Sequence, residues 1–87
     1  MPEHVSLDEH NPVWMRVVKI LAEQMEVPTA QIGPDTRFRD LGADSLDRLQ
    51  VILKLEEQFG ITISDKDANT LQGRSASEVY DYVRFRV

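Results

Sequence analysis

The 87-residue chain contains no cysteine, only four glycines and no long apolar run. The absence of cysteine excludes disulfides, thiolate nucleophiles and cysteine-bound metals. No apolar stretch approaches the roughly 20 residues that span a bilayer, and the N-terminus lacks the basic start and apolar segment of a secretory signal. We therefore expect a cytoplasmic protein without stable membrane insertion.

Positive charge is also scarce, because fifteen acidic residues outnumber ten basic ones and the net charge is −5. An acidic chain repels nucleic acid and anionic membrane surfaces, so neither is expected as the main partner. Its length is too small for a catalytic domain joined to a cofactor domain. A hydrophobic content of 41% is nevertheless typical of a folded globular domain.

The hydrophobic pattern predicts an all-α four-helix bundle. Residues 1–10 are polar and patternless, and we expect them to form a flexible N-terminal arm before a bundle domain over residues 11–87. The predicted bundle has three main helices and one short helix. The cap signals that begin the four helices are, in chain order, Asn11-Pro12, Asp44 or Ser45, Ser64 and Ser75. The first helix is expected to end near residue 26 and the second at Phe59, before Gly60. The short helix that follows Ser64 is expected at about residues 65–70.

A long first loop separates the first two main helices. Residues 27–44 contain two prolines and two glycines and show neither a helical nor a strand period. A loop of this length is unusual in so small a domain. We expect it either to serve function or to be pinned to the core by its few apolar residues, Ile32, Phe38 and Leu41.

The second helix carries two apolar stripes instead of the one that a small bundle requires. At 3.6 residues per turn, the core stripe consists of Val51, Ile52, Leu55 and Phe59. The leucine stripe lies on a separate face and consists of Leu46, Leu49 and Leu53, flanked by Gln50, Glu56 and Glu57. Extra leucines could simply fill the core, since single exposed leucines are common. The alternative is a docking face that is apolar in the middle and acidic at its rim.

Acidic residues concentrate around this helix, because residues 40–67 contain seven acidic and only three basic residues. By itself this excess indicates a solvated face on which Asp44 and Asp47 favour the helix start. Beside the leucine stripe, it predicts a basic partner protein that is attracted by charge.

Intrinsic catalysis is not expected. A nucleophilic Ser45 would need a base such as histidine, but the two histidines, His4 and His10, lie in the patternless arm. The hydroxyl of Ser45 could act simply as a helix cap, although Asp44 could cap equally well. A serine at a helix N-terminus also suits a covalently attached phosphate, because that end of a helix stabilises anions.

No metal site is expected either. A calcium loop beginning at Asp40 would need glycine at its sixth position and glutamate at its twelfth. Ser45 and Val51 occupy those positions.

The octapeptide Asp40-Leu41-Gly42-Ala43-Asp44-Ser45-Leu46-Asp47, followed by Leu55-Glu56-Glu57-Gln58-Phe59-Gly60, closely resembles the acyl carrier proteins of fatty-acid and polyketide synthesis. The resemblance covers about residues 12–84. It implies a four-helix bundle in which Ser45 is esterified with 4′-phosphopantetheine, transferred from coenzyme A by a magnesium-dependent phosphopantetheinyl transferase.

The resemblance also implies the roles of the surrounding residues. Asp44 and Leu46 would define the modification site. The partner-docking residues would be Asp47, Leu49, Gln50, Leu53, Glu56 and Glu57. A monomeric carrier would hold acyl groups as thioesters, shelter them among core residues such as Val51 and Val83, and present them to acyl-transferring, ketosynthase or acyl-ligase enzymes with basic patches.

Three positions on the second helix depart from the pattern of fatty-acid carriers: Gln50 replaces an acid, and Arg48 and Lys54 add positive charge. These differences favour a specialised carrier with dedicated enzymes. The alternatives are a carrier of aminoacyl or peptidyl groups and, from a different class, an unmodified acidic helical adaptor that binds a basic partner.

Overall fold

The computed structural model describes Leu7 and residues 10–87. Four α-helices make up this part of the chain: α1 (Pro12–Met25), α2 (Ser45–Phe59), α3 (Asp65–Leu71) and α4 (Ala76–Arg84). The prediction of an all-α four-helix bundle is therefore confirmed, with α3 as the short helix. The flexible arm stays a prediction, since most of residues 1–10 lie outside the described residues. No helix in the described ranges combines the length and apolar character needed to cross a membrane.

Helix α1 begins as the sequence predicts. The Asn11 side-chain oxygen accepts a hydrogen bond from the Trp14 backbone N–H at 3.1 Å, and Pro12 occupies the first helical position. The helix ends at Met25, one residue earlier than expected, because Glu26 adopts a left-handed conformation with φ 57°. The turn leads into Pro28, which disfavours helical backbone in the preceding residue.

Local caps also define the two later helices. The Ser64 hydroxyl accepts a hydrogen bond from the Asp67 N–H at 3.1 Å and begins α3. At the start of α4, the Ser75 hydroxyl accepts one from the Glu78 N–H at 3.4 Å while the Glu78 carboxylate accepts one from the Ser75 N–H at 3.0 Å. This reciprocal pair is a capping box, and Ser75 is the cap that the sequence predicts.

The core lies where α1 packs against α2 and α4. The Trp14 and Tyr80 rings meet edge to face, with their centroids 6.0 Å apart. The Tyr80 hydroxyl accepts a hydrogen bond from the Asn11 amide at 2.9 Å, so the start of α1 is tied to α4. The apolar face of α4 is buried and consists of Ala76, Val79, Tyr80 and Val83.

The long first loop is ordered and contains two short 3₁₀ turns, Thr29–Gln31 and Phe38–Leu41. Ile32 and Phe38 are buried, as predicted, whereas Leu41 is half-buried against the core. Backbone hydrogen bonds from Ala76 N to Thr36 O at 2.8 Å and from Ser77 N to Pro34 O at 2.9 Å attach the loop to α4. The loop is thereby tied to the first turn of α4.

Candidate functional site

Ser45 is the first residue of α2, and its side chain is exposed to solvent. The cap of the helix is Asp44, whose carboxylate accepts a hydrogen bond from the Asp47 N–H at 2.8 Å. The Asp47 carboxylate accepts one in return from the Asp44 N–H at 3.3 Å. Because Asp44 already caps the helix, the Ser45 hydroxyl is not needed as a cap. In the described part of the chain it has no hydrogen-bond partner.

The residues before Ser45 fix its position from within the core. Ala43 is buried, and its N–H donates a hydrogen bond at 3.2 Å to the carbonyl of the buried Phe38. Gly42 lies between them with φ 76°, a left-handed conformation that glycine adopts without the steric cost of a side chain. The turn at Gly42 and the buried Ala43 thus come directly before Asp44 and Ser45, which are exposed at the surface.

The two apolar stripes of α2 have different environments. In the core stripe, Val51, Ile52 and Leu55 are each at most 2% exposed, while Phe59 is half-buried. In the leucine stripe, Leu46, Leu49 and Leu53 are 63%, 47% and 49% exposed. The interpretation that the extra leucines fill the core is therefore wrong. Folding leaves a contiguous row of three leucines in water directly after Ser45.

The acidic residues around the leucine stripe fall into two groups. Asp44 and Glu57 are exposed. Asp47 and Glu56 are half-buried and bonded within the chain: Asp47 accepts a hydrogen bond from the Gln24 amide at 3.3 Å, and Glu56 accepts one from the Ile63 N–H at 2.8 Å. Gln50 is half-buried at the same rim. Sequence patterning identified the acidic rim but could not show that two of its members also hold the fold together.

The contact that Arg48 makes beside Ser45 was not predicted, although the sequence marks Arg48 as an added positive charge on this helix. The Arg48 side chain runs back towards the start of α2, where its Nη2 donates a hydrogen bond to the Ala43 carbonyl at 3.4 Å. On the helical wheel Arg48 falls close to the core stripe. A charged residue at such a position is a signal in the sequence that its side chain makes contacts within the fold.

The displaced pKa values lie on α4, away from the start of α2 in the chain. Hydrogen bonds from the Ser75 backbone and hydroxyl lower the pKa of Glu78, which is the acidic member of the α4 capping box. Burial, together with a hydrogen bond to Asp67, raises the pKa of Tyr82. These shifts follow from capping and packing of the helix. Among the described residues, no cluster of three or more histidine or acidic side chains could hold a metal ion.

The arrangement at Ser45 fits a phosphate ester. The hydroxyl is exposed and unengaged, and it sits at a helix N-terminus, where free N–H groups and the helix dipole stabilise an anion. His4 lies outside the described residues, and His10 occupies the turn before α1. No side chain in the described ranges forms a hydrogen bond with Ser45 to act as its general base.

Comparison with known proteins agrees with this geometry. Residues 16–83 match the family model described as a phosphopantetheine attachment site. The chain is 47% identical over 58 residues to the acyl carrier protein of Solidesulfovibrio magneticus, covering 66% of this chain and 74% of the relative. It is 38% identical over 76 residues to the acyl carrier protein of Treponema pallidum, covering 86% of this chain and 95% of the relative. The chain therefore belongs to the acyl carrier protein family, which is characterised by a phosphopantetheine attachment site.

Proposed function

We propose that Ser45 is the attachment point and that a phosphopantetheinyl transferase loads it from coenzyme A. The Ser45 Oγ attacks the phosphorus that carries the pantetheine and forms an ester bond. The bond from that phosphorus to the adenosine 3′,5′-bisphosphate breaks, and the serine proton passes to a base on the transferase. The supporting observation is the exposed and unengaged hydroxyl at a capped helix start.

The attached group supplies a terminal thiol, which a chain without cysteine lacks. The protein then acts as a carrier of acyl groups held as thioesters, and its own residues present the group instead of catalysing a reaction. Asp44 rigidifies the attachment point by capping α2, and Leu46 provides an exposed apolar contact beside it. We assign this carrier to fatty-acid, polyketide or related specialised lipid synthesis.

The leucine stripe and its rim form the docking face of the proposed carrier. The three exposed leucines offer apolar area, and Asp44 and Glu57 offer exposed negative charge at its edges. Asp47, Gln50 and Glu56 complete the rim from half-buried positions. A partner with a basic patch around an apolar pocket complements this face, and its charge would accelerate the encounter. Transferases, ketosynthases and acyl ligases that act on a monomeric carrier are the expected partners.

The mass of the intact protein tests the attachment. After incubation with coenzyme A, magnesium and a broad-specificity phosphopantetheinyl transferase, the wild-type chain should gain one phosphopantetheine group. Ser45→Ala should gain none. Ser64→Ala is the matched control, because Ser64 also stands at a helix start but its hydroxyl is engaged with the Asp67 N–H. Ser64→Ala should be loaded as the wild type is.

Two results would contradict the proposal. Loading of Ser45→Ala would place the attachment elsewhere. Failure of the folded wild-type chain to gain mass would favour the unmodified acidic adaptor, which uses the same docking face without a prosthetic group.

A further inference from the structure

Three arginines line a concave site of about 280 Å³ that neither the sequence pattern nor the proposed attachment explains. Arg37 and Arg39 come from the segment around the second 3₁₀ turn, and Arg48 comes from α2. Gln72 and Gly73, which connect α3 to α4, complete the lining. We call this site the arginine pocket. Since a water molecule in the liquid takes about 30 Å³, the space accommodates a small anionic group together with water.

The positive charge of the arginine pocket is not neutralised by ion pairs within the described chain. The arginine–carboxylate pairs found there involve other residues, namely Arg74 with Glu78, Arg84 with Asp81 and Arg86 with Asp67. The carboxylate of Asp40, on the same segment as Arg37, accepts a hydrogen bond from the Arg37 backbone N–H at 2.9 Å. Three like charges gathered in an acidic protein repel one another, and a bound anion would remove that repulsion.

Arg48 has an unused donor inside the structure. Its Nε is buried and, like the Nε of Arg84, forms no hydrogen bond among the described residues, but only the Arg84 Nε lies near a carboxylate, at 3.2 Å from an Asp81 oxygen. Buried donors are nearly always paired, so an exception requires an explanation such as a ligand. Arg37, in contrast, uses one guanidinium nitrogen to donate to the Gly73 carbonyl at 2.9 Å, which fixes one wall of the pocket.

The pocket is close to the proposed attachment point. Arg48 follows Ser45 by three residues on the same helix, a spacing that makes their side chains neighbours. Its guanidinium also reaches the carbonyl of Ala43, two residues before Ser45. A group tethered at Ser45 would therefore be presented to the pocket at an effective concentration in the millimolar range.

We propose that the arginine pocket binds an anionic oxygen group carried on the phosphopantetheine arm of Ser45. This inference rests on the proposed function. Two sources share the required chemistry: the phosphodiester that joins the arm to the protein and a carboxylate at the free end of the acyl group. The planar guanidinium fork of arginine is suited to either, since both present paired oxygens. In the second case the pocket would select carboxylated acyl groups over neutral ones of equal length.

Nuclear magnetic resonance of arginine Nε–H groups in the wild-type protein can separate these sources. Four ¹⁵N-labelled forms are compared: the apo protein and the protein loaded from coenzyme A, butyryl-coenzyme A or succinyl-coenzyme A. Butyryl and succinyl groups both contain four carbons and differ in the terminal carboxylate. Intact mass establishes loading of each sample before its spectrum is interpreted.

A new charge-assisted hydrogen bond should shift the Arg48 Nε–H signal and slow its exchange with water by about tenfold. If the change appears on loading from coenzyme A, the phosphodiester is the bound group. If the change appears only in the succinyl form, the terminal carboxylate of the acyl group is the bound group. Arg16, which lies on α1 and donates to Gln58, is the internal reference and should not change.

If the mass shows that the protein is loaded but the Arg48 Nε–H signal does not change in any form, the inference is overturned and the proposed function is left intact. An equal change at Arg16 would show a general charge effect and would also overturn the inference. If no form gains mass, the proposed function and this inference both fail.

In a second measurement, Arg48→Gln should abolish the ligand-dependent shifts of Arg37 and Arg39, whereas Arg16→Gln should preserve them. Retention of those shifts in a folded Arg48→Gln protein would remove Arg48 from the site.

Discussion

The two faces of α2 use similar side chains for opposite purposes. Leu55 in the core stripe is fully buried, whereas Leu53, two residues earlier, is 49% exposed. Burial of the core stripe accounts for folding through the hydrophobic effect. Exposure of the leucine stripe contributes little to folding and keeps apolar area available for another molecule. A single helix can therefore be divided by angle into a part that stabilises the domain and a part that stays exposed, which we propose to be the docking face.

The largest expected effect on this comparison comes from the core stripe. Ile52→Ala should lower the free energy of unfolding by about 2–4 kcal/mol, because Ile52 is 2% exposed and its truncation leaves a cavity. Urea unfolding followed by circular dichroism measures the loss. A change below about 1 kcal/mol would show that the core stripe does not carry the fold.

Leu53→Ala should weaken binding to partner enzymes while leaving stability nearly unchanged. Removal of apolar docking area should raise the KM of the phosphopantetheinyl transferase or another partner enzyme for this protein by up to about tenfold. The free energy of unfolding should fall by less than about 1 kcal/mol, since alanine has a higher helix propensity than leucine and half of the leucine is already in water. A large loss of stability with unchanged KM would end the division of α2 into two faces.

Asp44→Ala and Ser45→Ala compare a residue that caps α2 with an adjacent residue whose hydroxyl is exposed. Both are expected to change stability less than Ile52→Ala does. Asp44→Ala should cost about 1 kcal/mol of stability, because it removes the hydrogen bond to the Asp47 N–H. Ser45→Ala should change stability by less than about 0.5 kcal/mol, since its hydroxyl is exposed and not used as the cap. Thermal unfolding of both variants checks the difference, and the opposite ranking would make Ser45 the structural residue.

Much of the fold could be predicted because its signals are local. Asn11 caps α1, Ser75 and Glu78 cap α4, and Gly60 ends α2 in a left-handed conformation with φ 65°. Each of these features depends on residues within one helical turn. Helical periodicity then separated the core stripe from the leucine stripe, which the exposed fractions confirm.

The parts that could not be predicted depend on residues distant in the chain. The Glu56 carboxylate accepts a hydrogen bond from the Ile63 N–H beyond the end of α2, and Asp47 contacts Gln24 from α1. The arginine pocket combines residues from the first loop, α2 and the connection between α3 and α4. No short-range sequence pattern shows which acidic residues form hydrogen bonds within the fold or which basic residues lie close together, because both depend on how the helices pack.

The helices, the caps of α1, α3 and α4, the two apolar stripes of α2 and the family resemblance can all be predicted from the order of the amino acids, since they follow from neighbour-to-neighbour chemistry and helical spacing. The folded structure was needed to show that Asp44 caps α2 while the Ser45 hydroxyl is left unengaged, that the three leucines are in water, and that Arg37, Arg39 and Arg48 meet at one pocket. The physical reason is that exposure and charge convergence are properties of packed elements and arise only when the loop and helices are brought together.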